Sequence, residues 1–191
     1  MALARDHSPA FLYNHLMRSF GFGRQAGRAQ GAAFDEEMLF VGCLLHDLGL
    51  VDRFVAGERF EIDGADAAAD FLSRQGYPDA KIAIVWDAIA LHTTLGVPQR
   101  KAPEIALVQL SAGIDVGAAP RELIGTEAVD AILAEWPRLG FKVAFLEAMA
   151  RIARQKPATG AVNLMGEVGR HQKGLPIPDF CQIVHNSHFT E

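Results

Sequence analysis

The chain has 191 residues, half of them hydrophobic, and a formal net charge of −5. This length and hydrophobic content predict one globular domain with a sizeable buried core, with two small domains as the alternative. A mildly acidic chain without basic runs argues against a nucleic-acid or anionic-membrane surface, so we expect no nucleic-acid and no membrane partner.

Cysteine usage and the first residues predict a cytoplasmic protein. Cys43 and Cys181 have no CxxC partner, and we interpret both as reduced thiols, Cys43 in the core. Residues 1–7 lack the apolar core of a signal peptide. No apolar stretch reaches the ~18 residues that a membrane-spanning helix needs.

The first predicted helix covers residues 10–20. Ser8 and Pro9 are typical of the N-cap and the first helical position, and apolar residues recur about every four positions after them. Four glycines follow in the sequence: Gly21, Gly23, Gly27 and Gly31. We expect them to weaken the helix beyond residue 20.

The second predicted helix is the least polar segment of the chain. Asp35 can cap it, and the acidic residues after Asp35 suit the first turn, where the helix dipole favours negative charge. An apolar run from Met38 to Leu45 follows. Gly49 then occupies a position typical of a helix C-cap.

The rest of the chain also favours helices over strands. Residues 50–63 are predicted to form a loop or short elements. Helices bounded by glycine, proline or capping residues are predicted over 65–75, 80–93, 103–116, 127–136 and 141–155. We therefore expect an all-α bundle of about six or seven helices over residues 1–156. A Gly- and Pro-rich, irregular C-terminal extension should cover residues 157–191.

The apolar run of the second helix ends in His46 and Asp47, an imidazole beside a carboxylate. A buried charge is costly unless it is paired or bound to a metal. Two interpretations are open at this point. Either the helix has reached solvent and the pair is hydrated, or the pair binds a cation together with ligands from elsewhere in the chain.

Three other polar side chains interrupt apolar helical segments: His15, His92 and Asp115. A single histidine on an apolar face is more often a hydrogen-bonded core residue than a ligand. Asp115 is harder to explain in this way, because a buried carboxylate needs partners. Packed helices can bring these groups to His46 and Asp47. Imidazole and carboxylate ligands suit one divalent transition metal, with zinc first and iron, manganese, cobalt or nickel as alternatives.

The order of His15, the His46-Asp47 doublet and Asp115 resembles the signature of the HD superfamily of metal-dependent phosphohydrolases, which are all-helical. Within that superfamily, the chain resembles cyanamide-hydratase-like HD proteins. The stretches that carry this likeness are residues 44–49, 59–65, 86–94, 113–116 and 135–141. The resemblance implies one metal ion held by His15, His46, Asp47 and Asp115. It implies that His92 is an additional histidine that touches substrate or a second ion.

Four residues are candidates for the reaction itself. His92 suits proton transfer, because the unperturbed pKa of histidine lies near about 6.5. Glu61 is a second candidate, with a solvated loop carboxylate as its alternative. Thr93 is predicted to hydrogen-bond a small-molecule substrate, unless it only ends its helix. Arg18 is also predicted to bind the substrate, where it could meet a phosphate.

Three functions are compatible with these residues. The first is a metal-dependent enzyme that adds water to a small nitrile, cyanamide or isonitrile-like substrate. The second is a metal-dependent phosphohydrolase acting on a phosphomonoester or nucleotide, and the third is a non-catalytic regulatory module with a structural ion. Many nucleotide-cleaving HD enzymes place a lysine soon after the doublet, whereas Asp47 is followed by Leu48, Gly49 and Leu50, which favours the first function. The sequence leaves a homo-oligomer open.

Overall fold

The fold consists of α-helices joined by short turns. The computed structural model describes residues 2–186, and within this range it contains ten α-helices and no β-strand. The helices are α1 (Ala2–His7), α2 (Ala10–Ala29), α3 (Glu36–Leu45), α4 (Phe60–Arg74), α5 (Asp79–Leu91), α6 (Pro103–Val116), α7 (Thr126–Glu135), α8 (Phe141–Gln155), α9 (Leu164–Arg170) and α10 (Phe180–His185). The predicted all-α class is confirmed. Three short helices that the sequence did not predict, α1, α9 and α10, bring the number to ten. None of the ten combines the length and the apolar content that crossing a membrane requires.

Several helix ends follow the local sequence signals. Asp35 caps α3, because its carboxylate accepts hydrogen bonds from the backbone N–H groups two and three residues later. Gly117 ends α6 in the left-handed conformation, with a φ of 87°. The helix predicted over residues 141–155 is α8, with the same ends. Short-range chemistry was sufficient to predict these three features.

Helix α2 continues past Gly21, Gly23 and Gly27, three of the four glycines that were expected to weaken it, and ends at Ala29 before Gly31. Gly23 packs against Leu39 of α3 and Ser111 of α6, and a Cβ atom at Gly23 would come within 3.3 Å of both side chains. A Cβ atom at Gly27 would come within 2.5 Å of the Phe34 ring. The glycines therefore allow neighbouring side chains to approach α2 closely, and this packing outweighs their low helix propensity.

The turn between α3 and α4 differs from the prediction. Helix α3 ends at Leu45, so Gly49 is not its C-cap. Gly49 lies in a 3-10 turn, where a Cβ atom would come within 1.9 Å of the Phe60 carbonyl oxygen. Only a glycine permits this approach, which allows α4 to begin at Phe60 in the segment predicted as a loop. His46 and Asp47 lie between the end of α3 and this 3-10 turn, so the start of α4 packs close to them.

Helix α3 lies in the middle of the bundle. Leu39 and Cys43 are fully buried in a cluster with Val108 of α6, and Leu44 packs in a second cluster with Ile89 of α5. Burying an aliphatic side chain of this kind contributes roughly 1.5–3 kcal/mol. Burial also raises the pKa of the Cys43 thiol to about 12, in agreement with its prediction as a core residue. The C-terminal end of α3 is therefore held deep inside the molecule.

Part of the predicted C-terminal extension is helical and packs on the rest of the chain. Met165 of α9 is 1% exposed and belongs to a cluster with Met149 and Ile152 of α8. The predicted boundary after residue 156 stays a prediction. Residues 187–191 of that extension lie outside the described residues. Helix α9 is therefore fixed against α8 by shared core residues.

Candidate metal centre

Two histidines and an aspartate from distant parts of the chain meet in the core. His15 lies in the second turn of α2, whereas His46 and Asp47 follow the end of α3. The Nε2 atoms of the two histidines are 3.1 Å apart, and each lies 3.3 Å from Oδ2 of Asp47. All three residues are 1% exposed. One ligand atom from each lies within 4.8 Å of the others, so a single metal ion could contact all three.

His92 joins this group from the end of α5. Its Nε2 atom lies 3.5 Å from Oδ1 of Asp47, and its ring centroid lies 4.8 Å from that of His46. His92 is also buried, with 7% of its surface exposed. The structure thus brings together four of the residues that the sequence singled out.

The Nδ1 atom of each of the three histidine rings contacts a hydrogen-bond acceptor. Nδ1 of His46 and Nδ1 of His92 each donate to the backbone carbonyl three residues earlier, at 2.8 and 2.7 Å. Nδ1 of His15 donates to the Asp115 carboxylate at 2.6 Å. Because these oxygens accept hydrogen bonds, each Nδ1 carries a proton, and a neutral ring then has its lone pair on Nε2. Metal-binding histidines are commonly oriented by such contacts.

Asp47 lacks the donors that a buried carboxylate needs. Among the described residues, neither of its oxygens has a hydrogen-bond partner, and both are buried. Burial opposes ionisation, but His46, then His15 and His92, hold the pKa of Asp47 well below its ordinary value. The ionised carboxylate thus depends on positive charge beside it, which either the protonated rings or a cation shared with His15 and His46 supplies. The group therefore fits a divalent metal ion, whose chemistry matches imidazole and carboxylate ligands.

The two closest rings differ in their proton affinity. Burial lowers the pKa of His46. Burial also acts to lower the pKa of His15, but the hydrogen bond with Asp115 and the negative charge of the nearby Asp47 outweigh it and raise the pKa overall. The difference arises from Asp115, which contacts His15 on the side away from His46.

Asp115 is held by other partners, and the three residues whose ligand atoms lie closest together do not include it. Its carboxylate accepts hydrogen bonds from Nε and Nη2 of Arg18 at 2.8 and 2.7 Å, and from Nη1 of Arg138 at 2.8 Å. It also accepts the bond from His15. Burial acts to raise the pKa of Asp115, but the hydrogen bonds from His15 and Arg18 lower it well below its ordinary value. In this geometry Asp115 orients His15.

Arg18 lies behind His15 and does not line the cavity described below. It is fully buried, and its Nη1 also donates to the backbone carbonyls of Trp136 and Pro137, at 3.1 and 3.3 Å. The guanidinium thereby links α2, the end of α6 and the turn before α8. Arg18 is not among the residues that line the cavity, and its role in substrate binding stays a prediction.

Glu61 is buried in the first turn of α4, so its alternative as a solvated loop carboxylate is wrong. Its Oε1 accepts hydrogen bonds from the Thr93 hydroxyl at 2.5 Å and from Arg59 at 2.9 Å. Its Oε2 is buried without a partner in the described part of the chain. Thr93 lines the cavity, whereas Glu61 lies behind it. The structure therefore couples these two predicted residues directly.

A cavity of about 540 Å³ opens from the metal group. Its polar lining includes His15, His46, Asp47, His92 and Thr93. Most of the other lining residues are apolar side chains, contributed largely by α6, α8 and α9: Phe60, Leu95, Ala112, Val116, Phe141, Phe145, Leu146, Met149, Leu164 and Val168. Gln109, Arg138 and Lys142 complete the polar part of the wall. Such a cavity can admit an organic molecule to the metal group.

Three residues of this site were missed by the sequence reasoning. The Phe141 ring stacks on His15, with centroids 4.8 Å apart, and on Phe145 at the same distance. The Cζ atom of Arg138 also lies over the Phe141 ring, 4.7 Å from its centroid. Phe141 and Phe145 share a helix face, which predicts burial, but no sequence pattern indicates which histidine they contact. The stretch 135–141 was noted only for its resemblance.

Comparisons with known proteins agree with this geometry. The profile of the family described as HD domain matches residues 12–134, more than half of the chain. Two proteins of Saccharomyces cerevisiae, cyanamide hydratase DDI2 and cyanamide hydratase DDI3, are each 28% identical to it over 162 residues. Each alignment covers 75% of this chain and 66% of the yeast protein, so the chain spans slightly less than two thirds of these relatives.

Proposed function

The chain belongs to the HD domain family, and from this premise we propose that it is a metal-dependent enzyme that adds water to a small substrate with a nitrile-type group. The observation that carries the proposal is the buried Asp47 carboxylate, which has no donor among the described residues and lies beside three imidazole Nε2 atoms. The names of the two yeast relatives support the choice of hydration over other metal-dependent chemistry.

His15, His46 and Asp47 are the proposed ligands of one ion. Three protein ligands leave an open position, as in catalytic zinc sites. The nitrogen-rich set suits zinc first, with iron, manganese, cobalt and nickel as alternatives. When bound, such an ion supplies Lewis-acid activation of water or of the substrate. Asp115 was expected as a further ligand; that role stays a prediction, and in the present proposal Asp115 orients His15.

His92 carries out the proton transfers in this proposal. Its Nδ1 is held by a backbone carbonyl, so the Nε2 lone pair is the group that it offers to the cavity. Water oxygen adds to the nitrile carbon as His92 accepts one of the water protons. His92 then returns that proton to the substrate nitrogen, which gives the imidic acid. Transfer of the remaining hydroxyl proton to the same nitrogen, again through His92, gives the amide, which is urea when the substrate is cyanamide. The ring ends in the protonation state in which it began.

Thr93 binds the substrate, and Glu61 positions Thr93. The Thr93 hydroxyl donates its hydrogen to Glu61, so its oxygen is left to accept a hydrogen bond from the cavity. The amino group of a cyanamide-type substrate is a suitable donor. Glu61 does not touch the cavity and acts through this one contact.

The test combines metal analysis with a hydration assay. Wild type, His46→Ala and His92→Ala are purified without added metal and assayed with cyanamide. We expect about one transition-metal ion per chain in wild type and in His92→Ala, none in His46→Ala, and hydration by wild type alone. The proposal fails if wild type holds no metal and Zn²⁺, Fe²⁺ and Mn²⁺ leave its thermal stability unchanged. It also fails if a metal-loaded wild type does not hydrate any nitrile-type substrate.

The cationic side chains of the cavity favour phosphoester hydrolysis as a second candidate function. Arg138 and Lys142 line the wall, although no lysine stands in the few positions directly after the doublet. A phosphoester screen with Mn²⁺, Co²⁺ or Ni²⁺ tests this candidate, with Asp47→Ala as the inactive control. Activity that inorganic phosphate inhibits competitively would favour the phosphohydrolase over the hydratase.

A further inference from the structure

The cavity is much larger than the chemical group that is proposed to react in it. Its volume is about 540 Å³. A water molecule occupies ~30 Å³ in the liquid. Cyanamide has only a few more atoms than water, so its volume is also far below that of the cavity. Cavities of ~300–1,000 Å³ are typical of sites that enclose drug-sized ligands. Cyanamide alone would leave most of this space to water.

The side chains beyond the metal group are suited to an apolar ligand. Helix α8 contributes Phe145, Leu146 and Met149 to the wall, and α9 adds Leu164 and Val168. Water in contact with such surfaces gains few hydrogen bonds, so an alkyl or aryl group that displaces it is stabilised. The segment after residue 156 thus supplies part of the wall.

Two of the three polar side chains on the remaining wall, Gln109 and Arg138, have a partner within the protein. The Oε1 atom of Gln109 accepts a hydrogen bond from Gln99 at 2.5 Å. Nη1 of Arg138 is bound to the side chain and the backbone carbonyl of Asp115. These contacts reduce the polar groups left to recognise a strongly polar ligand body.

Several apolar residues of the wall are also unusually exposed. Leu146 is 60% exposed and Leu164 is 42% exposed, although both line the cavity. A bound molecule that reaches them would bury this surface. A molecule as small as cyanamide, held at the metal group, would leave it in water.

We propose that the nitrile-type group of the preferred substrate is carried on an apolar alkyl or aryl body that fills the cavity between α6, α8 and α9. This inference rests on the proposed hydration for the identity of the reacting group, and on the cavity for the apolar body. The preferred substrates are accordingly substituted cyanamides and organic nitriles, with cyanamide itself a poor one.

The first experiment compares cyanamide with N-methyl-, N-butyl-, N-hexyl- and N-benzylcyanamide on the metal-loaded protein. We expect kcat/KM to rise about fourfold for each buried methylene group. A cyanamide value equal to or above the others would overturn the apolar body while leaving the hydratase intact. If none is hydrated, the proposed reaction has failed, and the cavity is then tested by binding alone.

The binding experiment uses n-alkyl hydroxamates, whose head groups bind metal ions whatever reaction the protein catalyses. Titration calorimetry should show that hexanohydroxamate binds more tightly than acetohydroxamate, again by about fourfold per methylene group. Equal affinities across the series would overturn the inference even if hydration is observed.

Two variants on α8 supply matched controls. Leu146→Ser removes a cavity-lining side chain that is 60% exposed, and Val143→Ser removes one that is 79% exposed and is not in the cavity wall. We expect Leu146→Ser to weaken hexanohydroxamate about tenfold and acetohydroxamate little, and Val143→Ser to change neither. Equal effects of the two variants would overturn the inference. So would a dimer of wild type that Leu146→Ser dissociates without a change in chain-length dependence, because a second copy would then cover these leucines.

Discussion

Two buried carboxylates lie on opposite sides of His15, and their surroundings differ in kind. Asp115 accepts hydrogen bonds from Arg18, Arg138 and His15, so both of its oxygens are satisfied. Asp47 is equally buried, but among the described residues neither of its oxygens has a donor. Both groups are held in the ionised form, Asp115 by partners that donate and Asp47 by the rings beside it.

This difference separates a carboxylate with a structural role, Asp115, from one with a functional role, Asp47. A buried ion pair with complete hydrogen bonding is costly to break, because removal of one charge leaves the other unpaired. A buried carboxylate without donors lowers stability unless a cation binds it. We therefore expect Asp115 to contribute mainly to folding and to the orientation of His15. Asp47 should contribute to ion binding at the expense of folding.

The largest expected effect comes from Asp47→Asn. Loss of a ligand charge should remove the ion and reduce hydration at least about a thousandfold, equivalent to ~4 kcal/mol of barrier. The metal-free variant should be as stable as metal-free wild type or more stable by about 1 kcal/mol, because an unsatisfied buried charge has gone. Metal analysis, kinetics and urea unfolding with a chelator present measure these quantities. A marked loss of metal-free stability would show that Asp47 has protein donors after all.

Asp115→Asn is the matched change on the other side of His15. It leaves the buried guanidinium of Arg18 without a counter-charge, so the free energy of unfolding should fall by about 3–5 kcal/mol. The ion should still bind, about 10–100-fold more weakly, because His15 loses part of its orientation. Urea unfolding and metal titration give the two values. Complete loss of the ion in a folded variant would support Asp115 as a ligand, as the resemblance implied.

The contrast between these carboxylates also marks what the sequence could predict. His15, His46, Asp47, His92 and Asp115 were found because each is polar within an apolar helical segment. Their proximity followed from the expectation that packed helices share a core. The sequence did not reveal which carboxylate is paired, because the partners of Asp115 lie about 20 and about 100 positions away in the chain.

Features that depend on close contact between two elements could not be predicted from the sequence either. The caps at Asp35 and Gly117 depend on neighbours in the sequence and were predicted correctly. Gly49 is of the residue type that often ends a helix. Here, however, glycine is required because a Cβ atom would clash with the Phe60 carbonyl oxygen of α4. The burial of Glu61 follows from that same contact, since it allows α4 to begin earlier than predicted.

Glu61 provides an intermediate case, with one oxygen paired and the other without a partner among the described residues. Glu61→Gln keeps an oxygen that can accept the Thr93 hydroxyl, whereas Glu61→Ala does not. We expect the alanine variant to lower kcat about tenfold, or ~1.4 kcal/mol, and the glutamine variant to lower it less. Metal content should be unchanged in both. Equal kinetics of the two variants would mean that Thr93 is not positioned by Glu61.

The smallest expected effect is that of Arg138→Ala. Its side chain is 33% exposed and gives Asp115 one of its three partners, while the buried Arg18 and His15 remain. A partly exposed pair of this kind contributes about 1 kcal/mol or less, so urea unfolding should shift little and metal content should stay at the wild-type level. A loss as large as that of Asp115→Asn would show that Arg18 alone does not satisfy the carboxylate. The same variant divides the two candidate functions, because Arg138 lines the cavity: hydration of an uncharged nitrile should be nearly unchanged, whereas hydrolysis of a phosphoester should lose a cation that binds its substrate.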